Sequence, residues 1–543
     1  MRKGQRILWL INHRTLMPYE AKLLVQLGFE VFTPKVIPNE SSFRSELVDF
    51  TYDSSLTIPA QVLARLNHFN FYQDEWPSDI VAMVNRYFGT VFTIPYSVQF
   101  KEVVRKFKGQ VLFRVFGLDN SQNYWNILQI LYGPEIYVDI YAIRERFWFA
   151  QAYAELAEVE PPLLAERALF LPIGLPDSFK VNENFHTGTD NRILFLCPNC
   201  VSTPYYAAVY KKFKEEFGDL PHVIIGAQDT PVDDPNVLGF ISDEELLRLY
   251  RECAVLYYPS KELRHVHYSP IEAAINGMPV VYYAESLLGR MTAEIKLGRV
   301  QSQQEARSSI ERILEGDREY ITELRAEQRT LVHKFSDEYC TPIWKEGLFN
   351  SGYSKAIKKD ASILLFIWRK LKKSLIKSIK NAISVFFPLQ PLIIPPELLP
   401  KAENNNAIED GIDFSEFTYP TSVLEIRGLS NINDASGRWS IGPLISIKFS
   451  RLLPKQFKLI IEGGGYGPNI GEPIKIKIGK LEQTFKFLQP PKLEKNEKII
   501  LHYSLRRKTN LIEIKVPKPI CPPNDNREIG IALSYLKVEP IGK

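Results

Sequence analysis

The stretch SKELRHVHYSPIEAAINGMPVVYY, residues 260–283, sets a guanidinium, Arg264, and two imidazoles, His265 and His267, shortly before a carboxylate, Glu272. Ser269 can cap a helix whose first turn holds Pro270 and Glu272: a hydroxyl there satisfies an orphan backbone N–H, and proline suits the first helical position. A carboxylate so placed either complements the helix dipole or accepts paired hydroxyls, as a ribose presents. The loop before it is rich in basic residue types that can carry positive charge. Arg264 is the foremost of these, with His265 and His267 behind it; the bland alternative is that Arg264 pairs with Glu262 on the surface.

A second set of candidates stands nearer the N-terminus. Asn12, His13 and Arg14 follow the apolar run RILWLI, and Arg114 and Asp119 lie within VLFRVFGLDNS. His13, Arg114 and Asp119 are the residue types from which a catalytic group would come. Each is also readable as an ordinary polar residue at a strand end.

These residues need elements to position them. From residue 6 to about 345, short β-branched or aromatic runs such as EVFTP, TVFTI, RILFLC, HVIIGA and PVVYY alternate with helical segments such as SDEELLRLYRECA. That alternation predicts βαβ units and parallel sheets. A Pro-, Gly- and Asn-rich break at 171–191 divides them, giving two doubly wound domains at 1–175 and 176–350. Past residue 410 the pattern becomes strict alternation, as in PIKIKIG and NLIEIKV, and predicts an all-β sandwich over 411–543. Segment 351–410 holds a basic helix and a Pro- and Asn-rich linker. On a helical wheel, Trp368, Leu375 and Ile379 share one face of 364–386 and Lys373, Lys377 and Lys380 the other. Such a helix either lies on an anionic membrane surface or packs on its own protein with a solvated basic face.

Composition excludes some classes. A net charge of +4 over 543 residues is too small to indicate nucleic acid. No apolar run reaches the roughly 20 residues that a membrane-spanning helix needs. Five scattered cysteines and the lack of a long apolar N-terminal run lead us to expect a reducing cytoplasm. Cys197 and Cys200 form a C-x-x-C without a second pair, so free thiols and no metal site are expected. The Gly-rich EGGGYGPNIGEP lacks the ending of a phosphate loop and reads as a turn between strands.

Residues 193 to 286 resemble the nucleotide-sugar-binding domain of GT-B glycosyltransferases of families one and four. The resemblance rests on Glu272, Ala273, Gly277, Pro279, Val280 and Val281, which stand where that group has Glu-Ala and Gly-x-Pro-Val-Val. It implies a donor-binding second domain, with Glu272 holding the donor ribose, an acceptor-side first domain, and chemistry without metal or cofactor, the nucleotide-sugar being a substrate. The group's first glutamate falls on Arg264, and its Arg and Lys after the first strand of this domain are absent from CPNCVSTPYY, which points to Arg264 as the diphosphate's cation. Phe116 stands where many relatives have histidine. The missing base fits a retaining transfer.

The last domain, through its Gly-Arg-Trp-Ser and Gly-Pro-Asn stretches, resembles an accessory β domain of uncharacterised role on bacterial phosphoglycerol-transferase-like and glycan-modifying proteins. Trp439 and Tyr466 there can stack on sugar rings or belong to a core. The expectation is a bacterial glycosyltransferase, cytoplasmic or peripheral on the inner face of the membrane, acting on a glycan, lipid-linked or surface-polysaccharide acceptor. The alternatives are a catalytically silent GT-B scaffold that binds glycans or partners through its β domain, and transfer of a phosphoglycerol-type group.

Overall fold

The computed structural model describes residues 2–541 apart from 12, 14–15, 38–47, 97, 119, 121, 177–184, 361–393, 396–397, 400–410, 416–419, 421, 431–436, 450, 493–495 and 523–526. The basic segment 364–386 lies outside the described residues, as do Asn12, Arg14 and Asp119.

Six strands, β1 (Arg6–Trp9), β2 (Glu30–Phe32), β3 (Thr90–Thr93), β4 (Gln110–Val115), β5 (Phe147–Gln151) and β6 (Ala168–Phe170), form a parallel sheet in the order β2-β1-β3-β4-β5-β6. Every residue of β1, β3, β4 and β5 is buried, as expected where helices cover both faces of a sheet. A second parallel sheet holds β7 (Asp190–Leu196), β8 (His222–Ile225), β9 (Val237–Gly239), β10 (Cys253–Tyr258), β11 (Val280–Tyr283) and β12 (Arg299–Val300), in the order β12-β11-β10-β7-β8-β9. These are two doubly wound, Rossmann-like domains. Their helices obey local rules: the Ser242 hydroxyl accepts from Glu245 N–H at the head of Asp243–Glu252, and three acidic residues in that first turn complement the dipole.

The chain then returns to the first domain. Trp344, on the helix Asp337–Lys345, donates its indole N–H to the Pro172 carbonyl at 2.9 Å and stacks on Phe92 of β3. The Tyr353 hydroxyl lies 2.8 Å from that of Thr90. Both aromatic side chains are fully buried, so the first domain's core is completed by residues from beyond the second.

Two five-stranded antiparallel sheets between Ile412 and Pro540 make the β domain, with a hydrophobic core of its own. In Ile474–Ile478 the isoleucines are buried and the lysines exposed, and Lys475 and Lys477 pair with Glu482 and Glu513 on neighbouring strands. Period-two alternation made this region legible.

Candidate functional site

In the second sheet the strand order reverses between β7 and β10, and in the first between β1 and β3. Doubly wound domains take ligands in the crevice outside the carboxyl ends of the strands at such points. The strand β10 runs out into residues 259–268 and the helix Ser269–Ile275, while β1 runs out toward His13.

Glu272 sits in the first turn of that helix, where the Tyr250 hydroxyl donates to its Oε2 at 3.2 Å. Burial holds the carboxyl above the usual range, with Asp243 adding like charge, and the tyrosine only partly offsets this. Pro270 is buried beside it. Ser269 does not cap the helix as expected. Tyr268 already has helical dihedrals (φ −72°, ψ −29°), so the chain lacks the extended residue from which a cap reaches forward, and Ser269 becomes the first helical residue.

Along the preceding loop the His265 and His267 rings stand 4.5 Å apart. The Tyr258 hydroxyl accepts the His267 backbone N–H at 3.2 Å and lies 2.9 Å from His267 Nδ1. Arg264 reaches to the opposite domain, where its Nη2 donates to the carbonyls of Asn120 at 3.1 Å and Gln122 at 2.8 Å. Glu262, the surface partner of the alternative reading, is buried and accepts the Asn120 backbone N–H at 2.5 Å. The Asn120 side chain accepts in turn from Leu263 N–H at 2.7 Å. Glycine is required nearby: Gly117 has φ +94°, and a Cβ on it would lie 1.9 Å from the Arg264 carbonyl oxygen.

On the first domain, His13 meets this site. Its ring lies 5.9 Å from that of Tyr268, immediately before the Glu272 helix, and its Nδ1 accepts the Leu16 backbone N–H at 3.3 Å. Arg114 does not line the cleft. It is fully buried and paired with the equally buried Glu20 at 2.6 Å, with the Ala150 carbonyl taking a further N–H. A guanidinium in a β-strand core needs a carboxylate, and its partner comes from a helix 94 residues earlier. Asp119, in the loop with Asn120, lies outside the described residues.

Sequence reasoning missed four participants: Asn120, Tyr250, Lys261 and Glu160. Lys261, three residues past β10, pairs with Glu285 at 2.6 Å and lies over the Tyr283 ring, and its nearness to the strand end was a readable signal. Glu160 accepts the backbone N–H groups of Tyr124 (2.6 Å) and Trp125 (2.9 Å) at the head of the helix Tyr124–Tyr132. Burial pushes its pKa up to about 7 against those two donors and the nearby Arg264 charge. Cys197 and Cys200 are buried free thiols, and burial pushes Cys197 up to about 12.

Residues 401–540 match a family described as a domain of unknown function, DUF7024. Among curated proteins, the chain is similar to phosphoglycerol transferase I of Escherichia fergusonii, 30% identical over 140 residues that make up 24% of this chain and 17% of that protein. The enzyme of the same name from Salmonella typhi is 28% identical over 138 residues, with the same coverages. The chain thus spans about a sixth of the length of these relatives. Among solved structures, sucrose-phosphate synthase from Thermosynechococcus elongatus aligns over 62% of this chain and 96% of its own at 16% identity, with a TM-score of 0.39. Thermobaculum terrenum O-GlcNAc transferase aligns over 66% and 69% at 14% identity, TM-score 0.41. Anabaena HepE in complex with UDP and glucose aligns over 64% and 100% at 13% identity, TM-score 0.39.

Proposed function

We propose that this chain is a glycosyltransferase that moves a sugar from a nucleotide-sugar to a glycan, lipid-linked or surface-polysaccharide acceptor. The observation that carries the reading is the meeting of the two strand-order reversals: Glu272, embedded in a glycosyltransferase-like motif, follows β10, and His13 faces the start of its helix from the other domain. Glu272 accepts the donor's ribose hydroxyls. Arg264, His265 and His267 stand on the loop that would border the diphosphate, with Lys261 at its root.

In the transfer, an acceptor oxygen bonds to the anomeric carbon while the bond from that carbon to the diphosphate oxygen breaks. The His13 Nδ1 is occupied by the Leu16 N–H, so its neutral ring carries the proton on Nε2 and donates rather than abstracts. The acceptor's proton then passes to the departing phosphate, and the configuration of the sugar is retained. No group in this scheme calls for a metal or cofactor. The proposed location is the cytoplasm or the inner face of the membrane; no helix among the described residues is long and apolar enough to cross a bilayer.

Incubation with UDP- and GDP-sugars tests the reading through release of free nucleoside diphosphate, and the anomeric proton coupling of the product tests retention. One observation favours the silent scaffold: Arg264 is engaged by the opposite domain. Donor binding without any nucleotide release would establish it. The relatives' phosphoglycerol transfer is not carried over, because the similarity spans so little of them.

A further inference from the structure

Away from the strand-order reversals, a cavity of about 150 Å³ opens between the two α/β domains outside the carboxyl ends of β5 and β6. Tyr153, Phe170 and Ile173 of the first domain form one wall, and Leu287, Met291 and Tyr339 from beyond β11 the other. The volume is that in which a benzene-sized group fits. Its side chains are mainly apolar and aromatic, so a hexose would lose several hydroxyl–water hydrogen bonds here without regaining them.

The charges at the rim are not equivalent. Glu155 is tied to Arg290 across the domains at 2.5 Å. Lys334 is held only loosely, 3.5 Å from a half-exposed Glu294, with its ammonium over the Tyr339 ring at 5.5 Å. An entering anion can take that ammonium without leaving a buried carboxylate unpaired. We propose that the cavity binds a small amphiphilic anion: an aryl or branched acyl group of benzene size, lodged between Tyr153 and Met291, whose carboxylate meets Lys334. Arg290, besides closing the rim on Glu155, donates to the Leu263 carbonyl in the loop before Glu272, so an occupant touches both domains and abuts the group that steadies that loop. The site stands independently of glycosyl transfer.

Calorimetric titration of the full chain with benzoate, benzyl alcohol and glucose tests it. Benzoate is expected to bind saturably at one site, about tenfold more tightly than benzyl alcohol, and glucose not at all. Lys334→Met is expected to erase the preference for benzoate while leaving benzyl alcohol unchanged, and Met291→Trp, which fills the cavity, to abolish both. Should Met291→Trp fail to fold, the rim variant decides the matter alone. Absence of saturable benzoate binding, binding that survives the filled cavity, a preference that survives Lys334→Met, or tighter binding of glucose would each overturn the assignment.

Discussion

Arg264 donates to the Gln122 carbonyl oxygen at 2.8 Å across the line between the two α/β domains. A cation on the proposed donor loop thereby also fastens the first domain, and the same nitrogen reaches the Asn120 carbonyl.

Arg264→Ala is therefore expected to lower turnover far more than His265→Ala, and to weaken nucleoside diphosphate binding while sparing the nucleoside. Calorimetry with both ligands separates the roles. Equal loss for the two would mean that Arg264 serves only the contact with Asn120 and Gln122.

Glu272→Gln is expected to weaken nucleotide-sugar binding by about 1–3 kcal/mol, since charge-assisted hydrogen bonds to the ribose are lost while the Tyr250 contact persists. Burial raises the carboxyl above its ordinary range, so on acidification the ionised form, and with it donor affinity, declines at a higher pH than for an exposed glutamate. A titration of donor affinity against pH, in wild type and variant, checks both points; unchanged affinity in the variant would contradict the ribose role.

Glu160 yields an expectation of unusual sign. Its pKa is about 7 in the folded chain against 4.5 ordinarily, so the folded state binds the proton more tightly. The cost to stability is absent below about pH 4.5, grows to about pH 7 and is constant above, reaching about 3 kcal/mol at 1.36 kcal/mol per unit. Glu160→Gln should match wild type at pH 4 and exceed it in melting temperature at pH 8. A variant less stable at both pH values would show instead that the ionised carboxylate is the better cap for Tyr124 and Trp125.

Arg114→Met should destabilise the first domain by about 3–5 kcal/mol because Glu20 is left buried and unpaired, and the double variant Glu20→Leu, Arg114→Met should recover much of the loss. Urea unfolding followed by tryptophan fluorescence measures both. A stable single variant with normal melting would restore Arg114 as a candidate for chemistry.

What could be read in the sequence tracks the range of the interaction. Most strands of both parallel sheets and of the β domain were legible because burial on two faces, or on one, writes itself into neighbouring residues, whereas the buried strand Phe147–Gln151 and the short strands Val237–Gly239 and Arg299–Val300 were not singled out. The place of Glu272 in the first turn of a helix was legible because the helix, the Gly-Met-Pro turn and strand β11 follow it directly. The burial of Arg114, a catalytic candidate by residue type, was not legible because a polar side chain near a strand end looks exposed until its partner, Glu20, is found 94 positions away. Asn120, Tyr250 and Glu160 act through contacts 142, 22 and 36 residues distant, and no local spacing announces them. Ser269 failed as a cap for a finer reason, the backbone angles of Tyr268, which residue types do not specify.

The burial of Trp344 and Tyr353 in the first domain bears on how the chain is made. When a ribosome has finished β6, the domain's own strands exist, but the rings that seat against Phe92 and Thr90 have not been synthesised. At about 5–20 residues per second the wait for them is roughly 10–35 seconds. During that interval Phe92 and its neighbours lack their final cover, so the nascent first domain presents an oily face to which a chaperone can bind, and which the second domain must not claim before the helix bearing Trp344 arrives.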